Sequence, residues 1–150
     1  MNKELIRVTK RFTFEMGHAL YNYDGKCQFI HGHSYKLYVT LMGNVMNTPL
    51  HPKDGMVIDF SVLKKIVNKK IVEVYDHSFV INSGDKRDFL RDSMNERTIE
   101  LDVQPTCENL LLHFKGIIEK ELPEGLNLVN VRLYETEDSY AEWEYKDQIV

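Results

Sequence analysis

The densest group of chemistry-bearing side chains in this 150-residue sequence is Cys27-Gln28-Phe29-Ile30-His31-Gly32-His33. On a strand, residues i and i+2 point to the same side, so His31 and His33 can present both imidazoles to one ion. Gly32 between them leaves the opposite face uncrowded. An HxH pair alone is common on protein surfaces, and His18 is what changes its meaning. It ends the first alternating stretch of the chain and comes beside the start of the second if the two strands are antiparallel. Three neutral nitrogen ligands and one open position are the donor set of a catalytic zinc site, so His18, His31 and His33 are candidate Zn2+ ligands. Cys27 is either a small buried loop residue or one of two chemical groups. Its thiolate closes a tetrahedral structural site as a fourth ligand, or it stands just outside the ligands as a base activated by the metal.

The other candidates are less defined by spacing. Asp76 and His77 are adjacent, and neighbouring strand residues point to opposite faces, so the two act together only if the chain bends there or the aspartate orients the ring. A structural capping pair is the equal alternative. Cys107 falls in the first turn of a helix without neighbouring histidines and reads as packing. His51 reads as a loop residue and His113 as a helix-surface residue. Asp59 reads as a helix cap, and Glu135, at a strand end beside a turn, as a solvated charge.

The elements that must position these residues follow from periodicity. Leu5 to Met16 alternates, with Ile6, Val8, Phe12, Phe14 and Met16 on one side, and His33 to Val45 alternates with Tyr35, Leu37, Val39 and Leu41 on one side. The polar YNYDGKCQF between them is too short for a parallel crossover, which makes the two strands antiparallel neighbours. Asp59 starts a helix running to about Val74 with Leu63, Ile66, Val67, Lys70, Ile71 and Val74 at helical spacing. A second helix begins after Pro105-Thr106, carries Leu110, Leu111, Phe114, Ile117, Ile118 and Leu122 as its stripe, and stops at Pro123-Glu124-Gly125. Asn127 to Glu135 and Ser139 to Tyr145 read as a closing hairpin. The charged stretch from Ser83 to Gln104 has no clean period; it has room for a short helix and an extra strand, Thr98 to Val103. This order implies an α+β fold, a four-stranded antiparallel sheet with two helices packed on one face, in a single domain spanning residues 1–150.

Composition narrows the class further. Hydrophobic residues are 43% and charged residues 28%, which excludes disorder and fibrous or disulfide-scaffold classes. With 19 basic and 23 acidic residues the formal net charge is -4, which argues against broad capture of nucleic acid or an anionic membrane. The first twenty residues hold no apolar stretch of signal-peptide length, and no apolar run approaches membrane-spanning length, so a cytoplasmic protein with two free thiols is expected.

Six segments, FTFEMGHAL, CQFIHGHSY, GMVIDFSVLK, DHSFVIN, PTCENL and VRLYETEDSYAEW, occur in that order between Phe12 and Trp143. Together they resemble the 6-pyruvoyl-tetrahydropterin synthase and 6-carboxy-tetrahydropterin synthase family of the tunnelling fold. The three-residue spacer in Cys-x-x-x-His-Gly-His is similar to the carboxy-tetrahydropterin branch, the queuosine-pathway enzyme, whereas the pyruvoyl branch has a longer one. The resemblance implies that His18, His31 and His33 hold Zn2+, that Cys27 accepts a proton, and that Asp76 and His77 form a relay contributed by a neighbouring subunit. It implies that Glu135 anchors a pterin ring and that Thr106 and Glu108 line the pterin pocket. The expected reaction is conversion of 7,8-dihydroneopterin triphosphate to 6-carboxy-tetrahydropterin, acetaldehyde and triphosphate, with 6-pyruvoyl-tetrahydropterin formation as the alternative and a non-catalytic zinc domain as a second. Lys53, Arg87 and Arg97 are the candidates for meeting the triphosphate. Four strands are too few to close a roomy barrel, and the resemblance implies that protomers pair edges into a homo-oligomeric barrel, a trimer or a dimer of trimers, with active sites where chains meet.

Overall fold

A computed structural model describes residues 4–87 and 97–149. Its frame is a long hairpin: β1 (Leu5–His18) and β2 (His31–Asn44) pair antiparallel without a register break, from Leu5 opposite Asn44 to His18 opposite His31. Alternation fixes which side chains share a face. Phe12, Phe14 and Met16 of β1 are buried with Tyr35, Leu37, Val39 and Leu41 of β2, while Arg11, Thr13 and Glu15 are exposed on the other face.

Helices cover the apolar face. Asp59 caps α1 (Phe60–Val67) by accepting the Ser61 N–H at 2.8 Å. The helix then widens through a π-turn, Asn68–Val72, before a last turn, α2 (Glu73–Tyr75). That extra residue keeps every fourth side chain on one face, so Leu63, Val67, Ile71 and Tyr75 are the buried row. Val74, expected on the buried stripe, is 44% exposed because the wider turn rotates it outward and brings Tyr75 in. On the second helix, α3 (Cys107–Glu121), Thr106 caps the start and Leu110, Leu111, Phe114 and Ile118 face the sheet. Phe114 meets Phe14 edge-on with ring centroids 5.7 Å apart, and Phe14 stacks on Tyr35 at 5.6 Å, joining helix to hairpin.

The sheet corrects the expected four antiparallel strands. It has six in the order β4-β3-β1-β2-β5-β6 and is mixed. β3 (Ser78–Asn82) lies parallel to β1, with Met16 beside Ser78 and His18 beside Val80, and β4 (Thr98–Leu101) lies parallel to β3. β5 (Asn127–Tyr134) is antiparallel to β2, and β6 (Tyr140–Glu144) is antiparallel to β5. β3 carries no alternation signal because both its faces are covered: Val80 joins the main core, while Phe79 and Ile81 form a second small cluster with Ala19. The helical crossover α1–α2 between β2 and β3 provides the length a parallel pairing requires. The expected extra strand is present over Thr98–Leu101; the expected short helix falls largely on residues 88–96, outside the described residues. Among the described residues, β4 and β6 end the sheet with one strand neighbour each, and no helix is long and apolar enough to cross a membrane.

Phe114 is fully buried where helix and hairpin meet. Phe114→Ala is expected to destabilise the protein by about 3–5 kcal/mol in denaturant unfolding, the cost of a large core cavity. A loss below about 1 kcal/mol would show that this contact does not join α3 to the sheet.

Candidate metal centre and active site

The hairpin register carries the core face directly into the histidines. His31 and His33 continue the inward side of Tyr35 and Leu37, and His18 continues that of Phe14 and Met16. At the same level Gly17 and Gly32 pair on the opposite face. A Cβ on Gly32 would sit 3.2 Å from the Met16 carbonyl oxygen, and one on Gly17 would sit 3.3 Å from both the His31 carbonyl oxygen and the Phe79 ring, so the strands close tightly beneath the site.

Backbone carbonyls orient two of the three rings. His18 Nδ1 lies 2.7 Å from the Pro105 oxygen and His31 Nδ1 lies 2.8 Å from the Phe29 oxygen. A carbonyl only accepts, so both Nδ1 atoms carry hydrogen and both Nε2 atoms keep their lone pairs. Those two Nε2 atoms face each other at 2.9 Å. His33 Nε2 is buried with no hydrogen-bond partner, and ligand nitrogens of the three residues lie within 4.8 Å of one another. Burial pushes the His18 imidazole down to about 4 and lowers that of His33, which favours the neutral form of these two rings. Converging Nε2 atoms and an orphaned buried nitrogen fit a transition-metal ion, for which imidazole is a suitable ligand. Cys27, half-buried in the turn Lys26–Gln28, does not belong to this ligand group.

Glu135 differs from the solvated charge its spacing suggested. It follows β5, is 27% exposed, and brings Oε1 to 3.6 Å from His18 Nε2 and 3.9 Å from His33 Nε2. With His18 neutral this is a carboxylate set beside the ligands rather than an ion pair. Tyr35, fully buried below, has its hydroxyl 3.5 Å from His18 Nδ1, and burial together with Glu135 raises its phenol so that it stays protonated. The PTCEN turn meets the site through Pro105; the Thr106 hydroxyl accepts the Asn109 N–H as the cap of α3, and Glu108 is exposed in the first helical turn. Cys107 points its thiol at the Leu133 carbonyl oxygen 3.3 Å away, and burial pushes it up to about 11.

Asp76 and His77 make their own unit. His77 takes φ of 59°, so the chain bends, and the two side chains meet with Nδ1 and Oδ2 2.9 Å apart. The Glu15 N–H donates to Asp76 Oδ1 at 2.8 Å and, with His77 beside it, holds the Asp76 carboxyl below the usual carboxylate range. His77 N–H donates back to the Glu15 oxygen at 2.6 Å. The His77 side chain is 75% exposed, outside the ligand group.

The three candidate triphosphate contacts all have internal partners. Lys53 pairs with Asp59, Arg87 with the buried Asp85, and Arg97 Nη2 donates to the carbonyl oxygens of Glu73, Val74 and Asp76, capping the helix end that leads into the Asp76 bend. His113, expected on the surface, lies 2.6 Å from the Tyr75 hydroxyl and is half-buried. His51 Nδ1 accepts the Lys53 N–H in an exposed loop. Sequence reasoning missed the orienting carbonyls of Phe29 and Pro105, which have no side-chain signal. It also missed Tyr35 as a site residue, although its parity with His31 and His33 was a usable sign.

Fold and site together define an α+β domain with three histidines, placed so that they could hold a metal ion, at the end of its central hairpin. The sequence model of the 6-pyruvoyl tetrahydropterin synthase family matches residues 7–146, and the chain belongs to that family. A Haemophilus influenzae protein named 6-carboxy-5,6,7,8-tetrahydropterin synthase is 34% identical over 144 residues, 93% of this chain and 99% of that protein. A Rickettsia felis protein of the same name is 34% identical over 142 residues, 92% and 99% of the two chains. The crystal structure of 6-pyruvoyl tetrahydropterin synthase from Plasmodium vivax superposes with a TM-score of 0.72 at 20% identity, covering 93% of this chain and 97% of that one, a likeness of fold.

Cobalt(II) titration followed by visible absorption tests the centre. The expected result is one bound ion in the intact protein and in Cys27→Ala, and at least about tenfold weaker binding in His18→Ala, His31→Ala and His33→Ala. Loss of binding in Cys27→Ala with retention in His33→Ala would replace the three-histidine set with one containing the thiolate.

Proposed function

We propose that the chain is a zinc-dependent 6-carboxy-5,6,7,8-tetrahydropterin synthase that converts 7,8-dihydroneopterin triphosphate and water to 6-carboxy-tetrahydropterin, acetaldehyde and triphosphate, a carbon–oxygen lyase of queuosine biosynthesis. The observation that carries this reading is the convergence of His18 with His31 and His33, which lie four and six residues beyond Cys27, in a family whose matching relatives carry that enzyme name.

Zinc held by the three histidines would supply a Lewis acid that draws electron density from the hydroxyls of the substrate side chain. The protein's own groups do the rest. Cys27, outside the ligand group, takes a proton from the activated side-chain carbon as general base. His77, oriented by Asp76, returns protons to the substrate. Glu135 accepts from the adjacent N–H donors of the pterin 2-amino-4-oxo edge, which places the reacting side chain beside the histidines. Thr106, fixed as a helix cap, and Glu108 shape the pocket wall. The 75% exposure of His77 supports a site completed between chains, in a trimer or a dimer of trimers.

Product analysis decides between this reaction and its neighbour. With zinc and 7,8-dihydroneopterin triphosphate, acetaldehyde and 6-carboxy-tetrahydropterin are expected in equal amounts; triphosphate release without acetaldehyde would assign the pyruvoyl reaction instead. Cys27→Ala is expected to keep zinc and lose about 100-fold or more in turnover, and full activity in that variant would remove Cys27 as base. Mixing separately inactive Cys27→Ala and His77→Asn proteins through a dissociation and reassembly cycle should restore activity, since some hybrid sites then hold both native residues. No recovery from reassembled hybrids would put Cys27 and His77 of one chain in the same site.

A further inference from the structure

Just beyond β3, Asp85 is fully buried. A carboxylate in that position persists only where charged partners offset its lost hydration. Arg87 provides them: Nε donates to Oδ1 at 2.9 Å and to Oδ2 at 3.1 Å, Nη2 donates to Oδ2 at 2.5 Å, and the Arg87 N–H donates to Oδ1 at 3.1 Å. With that edge of the guanidinium locked, Nη1 reaches across 59 positions of sequence and donates to the Gln28 carbonyl oxygen at 2.6 Å. Gln28 ends the turn Lys26–Gln28 that carries Cys27, and the following carbonyl, Phe29 O, is the one that orients His31.

This turn has little packing to hold it. None of Lys26–Gln28 is buried, and Phe29 and Ile30 are 62% and 53% exposed. Its long-range restraints include the Leu20 N–H donating to Cys27 O at 2.9 Å and the Arg87 contact. A charged donor with a rigid fork, itself fixed on a buried counter-ion, defines the position of a carbonyl far better than a mobile surface side chain does.

We propose that Arg87, held by Asp85, is a positioning residue that sets the Cys27 turn against the histidine centre. The proposal rests on the reading of Cys27 as the proton acceptor, and it concerns geometry alone, since Arg87 does not meet the reacting atoms.

The test uses the zinc-loaded full chain with Arg87→Ala, Arg87→Lys and the double variant Asp85→Asn/Arg87→Met, which removes the buried carboxylate and its counter-ion together. The readouts are zinc content, kcat and KM for 7,8-dihydroneopterin triphosphate, and the iodoacetamide alkylation rate of Cys27 by mass spectrometry, with Cys107 as internal reference. Expected are unchanged zinc content and a kcat lowered about 10- to 100-fold with KM within about twofold, the signature of a misplaced group. Cys27 alkylation should rise about fivefold, the factor one net hydrogen bond contributes to a local opening. Arg87→Lys should not rescue, because a single ammonium cannot hold both Asp85 oxygens and reach Gln28. The proposal is overturned if kcat is unchanged, if Cys27 alkylation is unchanged, or if zinc is lost in step with activity, which would make the clasp a support of the metal centre. Where Arg87→Ala does not fold, the double variant carries the same readouts. Should the unaltered protein make no pterin product, the functional reading fails, and the alkylation rate alone decides the clasp.

Discussion

The register of the central hairpin is the constraint on which the rest depends. Because His18 pairs with His31 and Met16 with His33, three imidazoles emerge on the same face as Phe14, Tyr35 and Leu37. A slip of one residue would turn the inward face outward on one strand, dissolving core and histidine cluster together. Two features oppose such a slip: the apolar row under α1 and α3, and the Gly17–Gly32 pair, where the strands lie too close for side chains to be added without movement. Stability and chemistry therefore rest on one alignment.

From that alignment the electrostatics follow. The histidines sit where the core ends, burial keeps His18 neutral, and backbone carbonyls orient His18 and His31 through Nδ1 so that their Nε2 atoms converge. Glu135 places a negative charge beside them without entering the ligand group. Asp76 and His77 stand apart, on a bend tied to Glu15 and capped by Arg97, exposed rather than enclosed. The chain thus presents two separate groups of polar side chains, and among the described residues its sheet leaves β4 and β6 with one strand neighbour each.

Much of the fold was legible because local rules and tertiary packing agreed. Alternation marked β1 and β2, Asp59 and Thr106 marked two helix starts, and the Pro123-Glu124-Gly125 stop and the final hairpin fell where their turn residues lie. Failures came where tertiary context overrode the pattern. β3 is covered on both faces, so Phe79-Val80-Ile81 shows no alternation, and without β3 the parallel half of the sheet was invisible. The π-turn at Asn68–Val72 exchanged Val74 for Tyr75, which periodicity of 3.6 cannot anticipate.

What the sequence alone determined was the set of candidate donors, an HxH pair two residues apart on a strand and a histidine at the end of the preceding strand, with a cysteine four residues upstream whose role it left open. Strand parity is a local property, so this much needs no three-dimensional knowledge. Only the tertiary structure decided what surrounds those donors. Pro105 orienting His18 from 87 positions away, Glu135 turning inward, Arg87 donating to the Gln28 carbonyl oxygen, and Arg97 closing the helix before Asp76 are contacts between segments remote in sequence. Their partners are mostly backbone carbonyls, which every residue possesses and no residue type announces.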